Sequence, residues 1–324
     1  MDLVTPAVLP PRPHMVSPVL RITAIALVVL AVIISIIAYT PLFHKNQNAT
    51  TDTYLVSVTL PNVTRSYLYT YNPTPAKGET SYTAYTIKVA DKELPVLDLI
   101  SVTPQESYYL LLEDASTSVS NIYKDTNGMI TRLTTSATPK RGISVDTKSG
   151  ALSFQSPPSN TQLSSEWETV IFNPSTSKEV RSGLVSFRSA LLPGGNALLL
   201  VGSTSVQYAA LSGSEKKTIL QIPGPNLVTF TKDSTRIAVY NTVTRSIDSY
   251  TYSSSKGISF DHSSKPQETD VHAITYAGDA ILAVYRNALL PSTYAIKNLS
   301  TNEEVSRLLL GPNLIPDRIK IDHE

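Results

Sequence analysis

LVTFTKDSTRIAVY, residues 227–240, decides how the rest of the chain is read. It opens as a short strand with apolar side chains at alternate positions, passes through a polar turn, and closes in a strand that is nearly all apolar. Alternation marks a strand with two different faces; its loss marks one covered on both. The same frame returns in Leu99-ISVTPQESYYLLLE, Leu184-VSFRSALLPGGNALLLV and His272-AITYAGDAILAVY. Gly142-ISVDTKSGALSF fits it, and Leu60-PNVTRSYLYTY fits it more loosely.

A third element follows each pair, an aromatic leading into a polar turn. It is seen at Tyr123-KDTNG, Phe172-NPSTSKE, Tyr208-AALSGSEK, Tyr250-TYSSSKG and Tyr294-AIKNLSTNE. Second strands begin near positions 67, 108, 151, 197, 236 and 280, a period of roughly 39–46 residues, which is the spacing of four-stranded propeller blades. One small twisted sheet cannot bury both faces alone, so such units must stack, each covering its neighbour. The aromatic before the third turn is expected to pack between blades.

The frame resembles the blades of β-propellers of the TolB and WD40 kind, with Phe230-Thr-Lys-Asp-Ser-Thr-Arg-Ile-Ala-Val-Tyr240 its nearest copy. The resemblance covers about residues 54–310 and is generic. Trp167 is the only tryptophan, so no Trp-Asp signature exists, and Thr103-Pro-Gln-Glu and Thr231-Lys-Asp-Ser stand where TolB-like blades carry Ser-Pro-Asp-Gly. The expected fold is all-β, a propeller of six four-stranded blades. A seventh, degenerate blade is an option over residues 72–97, and Ile315-PDRIKIDHE is expected to close the ring onto the first blade. Two β-sandwich domains with an adhesive role are the alternative architecture.

The N-terminal region reads differently. Residues 22–39, ITAIALVVLAVIISIIAY, carry no charge, and with Thr40–Phe43 the run reaches about 22 residues, about 33 Å as a helix, enough to span a bilayer. Ile22, Leu27, Leu30, Ile34, Ile37 and Phe43 mark the expected membrane-spanning helix. A cleaved signal peptide is shorter and ends at a small-x-small site, whereas the nearest candidate here, Ala38-Tyr39-Thr40, runs into Pro41. Arg12 and Arg21 precede the run and only Lys45 follows closely, so the N-terminus is expected in the cytoplasm. The expected organisation is a short disordered tail (1–20), a transmembrane helix (21–43), a polar stalk (44–53) and an extracytoplasmic propeller (54–324) on a single-pass membrane protein.

Composition narrows the chemistry. The 324 residues carry a formal net charge of +1, 16% charged residues and no cysteine. Nucleic acid is therefore not an expected partner, and disulfides, thiolate metal sites and cysteine nucleophiles are excluded. A large domain without disulfides points to a bacterial surface protein. No Gly-x-Ser-x-Gly elbow, phosphate-cradling glycine loop or calcium loop occurs. Gly202-Ser203-Thr204-Ser205 and Gly213-Ser214 read as turns. His262 and His272, with Asp261 or Asp270, flank one loop but match no ligand spacing. Glu113-Asp114 and Glu303-Glu304 read as solvated turn carboxylates, and the tyrosines Tyr67, Tyr69, Tyr71, Tyr82, Tyr85, Tyr108 and Tyr109 as blade packing. No catalytic residue, cofactor or metal is expected. The leading expectation is a binding or scaffold module for an envelope protein or a glycan; the alternative is a hydrolase or lyase acting on extracellular glycan or peptide, which clustered carboxylates at the channel mouth would favour.

Overall fold

Alternation and turn chemistry become twenty-five β-strands among the described residues. The computed structural model describes residues 53–59, 66–71, 82–157, 167–211, 216–221, 227–266, 270–286, 293–310 and 315–322. They belong to one unit, Asp52–Glu324. Arg12, Arg21, Ile22, Leu27, Leu30, Ile34, Ile37 and Phe43 lie outside the described residues. Among the described residues no helix is long and apolar enough to cross a membrane.

The strands form six antiparallel sheets. In chain order, β1 (Thr53–Thr59), β2 (Ser66–Tyr71) and β3 (Tyr82–Ala84) belong to sheet 1. Sheet 2 has five strands: β4 (Thr86–Val89), β5 (Lys92–Thr103), β6 (Glu106–Asp114), β7 (Val119–Thr126) and β8 (Met129–Arg132). Sheet 3 holds β9 (Arg141–Val145), β10 (Leu152–Ser156), β11 (Trp167–Asn173) and β12 (Lys178–Ser186). Sheet 4 holds β13 (Arg188–Leu191), β14 (Ala197–Val201), β15 (Ser205–Ala210) and β16 (Lys216–Gln221). Sheet 5 holds β17 (Val228–Phe230), β18 (Arg236–Asn241), β19 (Ser246–Ser253) and β20 (Gly257–Ser264). Sheet 6 holds β21 (Val271–Ala277), β22 (Ala280–Arg286), β23 (Thr293–Asn298) and β24 (Glu304–Leu309). The last strand, β25 (Ile315–Asp322), returns to pair with β1, so sheet 1 runs β25-β1-β2-β3.

The second strands show why each sheet needs two neighbours. Along β14, Ala197, Leu199 and Val201 join a cluster with Val228, Ile237 and Val239 of sheet 5, while Leu198 and Leu200 face a cluster that Ala151, Ile171 and Leu184 of sheet 3 pack against. Strand β6 divides likewise: Tyr108, Leu110 and Leu112 pack with Ile143, Phe154 and Phe172 of sheet 3, and Tyr109 and Leu111 with Leu68 of sheet 1. In β22, Leu282 and Val284 join the cluster that Tyr69 of sheet 1 packs against, and Ala283 and Tyr285 join Ala238 and Tyr240 of sheet 5. Every pair of adjacent sheets, including the last with the first, shares one apolar cluster. That is a β-propeller arrangement, and the alternative of two sandwich domains is not formed. The aromatics before the third turns sit in these interfaces, Tyr123, Phe172 and Tyr294 buried, Tyr208 and Tyr250 packed from the edge.

A second set of bonds runs around the inner edge. Ile143 N donates to Asp98 Oδ2 (2.9 Å), Leu191 N to Ser144 Oγ (3.1 Å), and Arg188 Nη1 to Val228 O (2.9 Å). Arg236 Nη2 donates to Asp279 Oδ1 (2.6 Å) and Gly278 O (3.3 Å). These links join sheets 2 to 3, 3 to 4, 4 to 5 and 5 to 6, and their sequence separations of 45, 47, 40 and 42–43 residues repeat the period of the sequence pattern. The Gln155 amide, oriented to satisfy both ends, adds Ser189 N to its oxygen (2.8 Å). Between sheets 1 and 2 the backbone of Tyr85 serves, its N–H on Leu68 O and its carbonyl accepting from Val96 N, both 2.9 Å.

Two readings of the repeat need correction. In sheet 1 the strand near residue 67 is the third from the inner edge, because β25, packed beside β21, takes the innermost place. The first repeat fits the frame loosely for that reason: its leading strand is supplied from the other end of the chain. The seventh unit does not form among the described residues. Residues 82–97 are spent on β3, β4 and the first half of β5, which completes sheet 1 and widens sheet 2.

Candidate functional site

The inner strands β5, β9, β13, β17 and β21 surround a cavity of about 550 Å³. Thr147, Lys232, Asp233, Gly278 and Asp279 come from turns that follow inner strands, so the cavity opens on that side. Local sequence sets these turns. Ala277 pairs with Ala280 across a two-residue loop, and Gly278 takes the positive φ (59°) that the tight loop demands, placing Asp279 opposite Arg236. After β17, Thr231 N donates to Arg236 O (3.0 Å) and Ser234 N to Thr231 O (2.9 Å), which turns the chain back at Lys232–Asp233.

Two of the three lining carboxylates are drawn into the scaffold, while the side chain of Asp279 stays 96% exposed. Asp98 is buried and accepts from Leu99 N (3.0 Å) and Ile143 N (2.9 Å). Asp233 accepts from Thr231 Oγ1 (2.6 Å), Thr235 N (3.1 Å) and Thr235 Oγ1 (2.8 Å). Burial works against the charge of Asp233, and these hydrogen bonds outweigh it, leaving its pKa below the ordinary carboxylate value. Asp279 is held by Arg236, whose guanidinium also lies 5.3 Å from the Tyr276 ring centre. Three acids (Asp98, Asp233, Asp279) face three bases (Arg188, Lys232, Arg236), and the lining contains no histidine.

The candidate metal set is not brought together: among the described residues no group of three or more His, Cys, Asp or Glu side chains is arranged to hold a metal ion. His262 lies on the outer strand β20 with its Nδ1 3.0 Å from Asp261, whereas His272 lies on the inner strand β21. The ring of His272 packs edge-on to Tyr294, and its Nε2 sits 3.4 Å from Asp270 without hydrogen-bond geometry. Burial holds its pKa below the usual histidine value despite Asp270. Of the tyrosines, Tyr108 and Tyr109 are core, and Tyr69 and Tyr85 pack against it, as expected of blade packing. Glu304 makes a two-pronged contact with Arg307, and Asp114 caps its own turn through Ser116 and Thr117, which bring its pKa to about 2.

Glu113 departs from the reading as a solvated turn carboxylate. It accepts from Tyr123 Oη (2.6 Å), Asn121 Nδ2 (2.9 Å) and Arg132 Nη2 (2.6 Å). Asn121 passes the chain inward, its Oδ1 accepting from Lys140 Nζ at 3.1 Å. Lys140 is 2% exposed, and its ammonium also meets Ser120 O (2.8 Å), Ser136 Oγ (2.6 Å) and Thr138 O (3.2 Å). Burial outweighs the attraction of Glu179 and Glu113 and brings the Lys140 pKa down to about 8. Nothing in the sequence around Lys140 flags it, because its oxygen ligands come from β7 and a loop rather than from a motif.

No family model and no curated protein matches the chain. Among solved structures, the chain is similar to the nidogen/laminin complex at 12% identity and a TM-score of 0.49, over 83% of this chain and 98% of that one. A putative 6-phosphogluconolactonase from Bacteroides uniformis is similar at 11% identity and 0.42, over 83% and 85%. The β-propeller domain of Cps50 (Swd1) from Myceliophteria thermophila is similar at 8% identity and 0.42, over 71% and 90%. At these scores the likenesses carry no argument about activity, and the fold stands on the sheets themselves.

Proposed function

We propose that the chain is a single-pass membrane protein whose six-bladed propeller stands outside the cytoplasm and binds an envelope protein or a glycan at the mouth of its central cavity. The observation that carries the binding reading is the state of the inner carboxylates: Asp98 is buried on two backbone N–H groups and Asp233 is held by Thr231 and Thr235, while Asp279, exposed at the rim, pairs with Arg236. Acid–base catalysis needs a carboxyl group free to exchange a proton with substrate, and a binding surface needs only fixed shape and polarity. Six sheets and six shared clusters support the blade number. The uncharged run 22–39 and the excess of Arg12 and Arg21 over Lys45 support the anchor and its direction.

The cysteine-free sequence makes topology directly testable. Val243 is 90% exposed on a turn of sheet 5, so Val243→Cys reports one side of the membrane and Val4→Cys the other. With a membrane-impermeant maleimide on intact cells, Val243→Cys is labelled and Val4→Cys is labelled only after permeabilisation; the reverse pattern overturns the orientation. Full-length protein is then incubated with envelope glycan and peptide fractions. Retention without turnover supports the binding reading. Release of cleavage products, lost in Asp233→Asn, replaces it with the hydrolase or lyase.

A further inference from the structure

The hydrogen-bonded chain that runs from Glu113 to Lys140 lies apart from the central cavity, and none of its members lines that space. Asn121, on β7 and fully buried, stands at its middle. Lys140 Nζ is 3.1 Å from the Oδ1 of Asn121, and Glu113 Oε2 is 2.9 Å from its Nδ2. Thr134 completes the set. Its hydroxyl donates to Asn121 Oδ1 (2.9 Å) and accepts from Ile122 N (3.0 Å), so its single proton is aimed at the amide. The Phe154 ring, 5.7 Å from Nζ, gives the pocket an apolar wall.

An ordinary amide resists attack by a lysine for four reasons. The amine is charged, the carbonyl carbon is a weak electrophile, the departing nitrogen needs a proton, and water competes. Each obstacle is reduced at this place. Burial brings the Lys140 pKa down to about 8, so about a tenth of the molecules carry a neutral amine near pH 7. Thr134 polarises the carbonyl and is placed to hold an oxyanion. Glu113 touches the departing nitrogen and is fixed in turn by Tyr123 Oη and Arg132 Nη2, both at 2.6 Å. The burial of Asn121, Thr134 and Lys140 keeps water from the carbonyl.

We propose that Lys140 and Asn121 join in an intramolecular isopeptide bond, formed by the folded chain itself. The neutral Nζ adds to Asn121 Cγ, and Thr134 holds the oxygen that gains charge. Glu113 carries one proton from Nζ to Nδ2; the Cγ–Nδ2 bond then breaks and ammonia leaves. Nothing is oxidised or reduced, so the bond needs neither a cysteine nor a second molecule. It clamps β7 of sheet 2 to the chain entering β9 of sheet 3, and it does not depend on the binding reading above.

The test is the intact mass of the full-length protein in detergent, freshly folded and after incubation between about pH 6 and 9. The expected result is the loss of one ammonia per chain, at a rate rising about tenfold per pH unit below about pH 8. Trypsin should then release residues 93–124 and 133–141 as one joined species. Lys140→Arg and Asn121→Ala should keep their full mass, and Glu113→Ala should react about a hundredfold more slowly. Melting by circular dichroism checks that each variant is folded, and the wild-type mass decides the matter without them. A wild-type chain that keeps its mass at every pH overturns the inference. So does an ammonia lost from residues 125–132, which marks a succinimide at Asn127-Gly128 and no crosslink. A crosslink formed as fast in Glu113→Ala overturns the part given to Glu113. Only the unreacted chain, told apart by its mass, keeps an ammonium at Lys140.

Discussion

Lys140 offers the sharpest test of how the sheets are held together. Its ammonium is buried among four oxygens and, among the described residues, touches no carboxylate. In the folded chain its pKa lies at about 8, against an ordinary 10.5, the difference imposed chiefly by burial. Between those two values the unfolded chain holds the proton more tightly than the folded one, so stability rises with pH across that window. At about 1.4 kcal/mol per pH unit the full gain is about 3 kcal/mol, reached near the ordinary lysine pKa. Lys140→Met keeps the length of the side chain and removes both charge and donors. Near neutral pH it costs about 2–4 kcal/mol, because the buried Ser120 O and the Asn121 Oδ1 lose the ammonium as a donor. Urea unfolding of both proteins, followed by fluorescence of Trp167, the single tryptophan, gives a stability difference at each pH. Between about pH 8 and 10.5 that difference should widen in favour of the wild type by about 3 kcal/mol. Parallel curves would refute the reasoning: the oxygen shell would then hold the ammonium as firmly as water does.

Three further outcomes follow from the same structure. Asp98→Ala leaves Leu99 N and Ile143 N buried without an acceptor, a loss of about 2–5 kcal/mol in urea unfolding, with Asp98→Asn losing less because one acceptor survives. Deleting residues 315–322 removes the strand paired with β1, and the truncated chain should lose its cooperative melting transition in circular dichroism. Seven tyrosines (Tyr108, Tyr123, Tyr240, Tyr250, Tyr252, Tyr276 and Tyr294) have pKa values raised first of all by burial, Tyr123 to about 12. The unfolded chain therefore loses these protons first, stability falls as pH rises above about 10, and their phenolate absorbance should appear together with unfolding rather than before it.

The repeat was legible in the sequence because the second strands pack on both faces, and an all-apolar run such as Ala197–Val201 is visible without any partner. Aromatics at Tyr123, Phe172 and Tyr294 were legible for the same reason, since interface burial leaves a large side chain at a fixed offset from a turn. The first sheet departs from the pattern because its inner strand lies some 260 residues away, beyond the reach of any periodicity. Site chemistry was less visible still. Ser101, Ser144, Ser189, Thr229 and Thr275 look like ordinary strand residues until the ring brings them around one axis. Glu113 has the sequence setting of a turn carboxylate because its partners Asn121, Tyr123 and Arg132 arrive from two other strands.

The pairing of β1 with β25 also sets the timetable of assembly. During synthesis the other strands emerge before the one that seals the ring, so the nascent domain exists for a time as an open arc. At the seam the edge of Thr53–Thr59 has no partner, and the face of Ala273, Leu282 and Val284 has only Tyr69 of sheet 1 to pack against it. Such surfaces invite contact with another copy or with a protease. A ribosome that stops early, or a cut near the C-terminus, thus yields an arc of the same kind. Only a chain translated through Asp322 hides both ends, which makes the final strand a proofreading device for completeness.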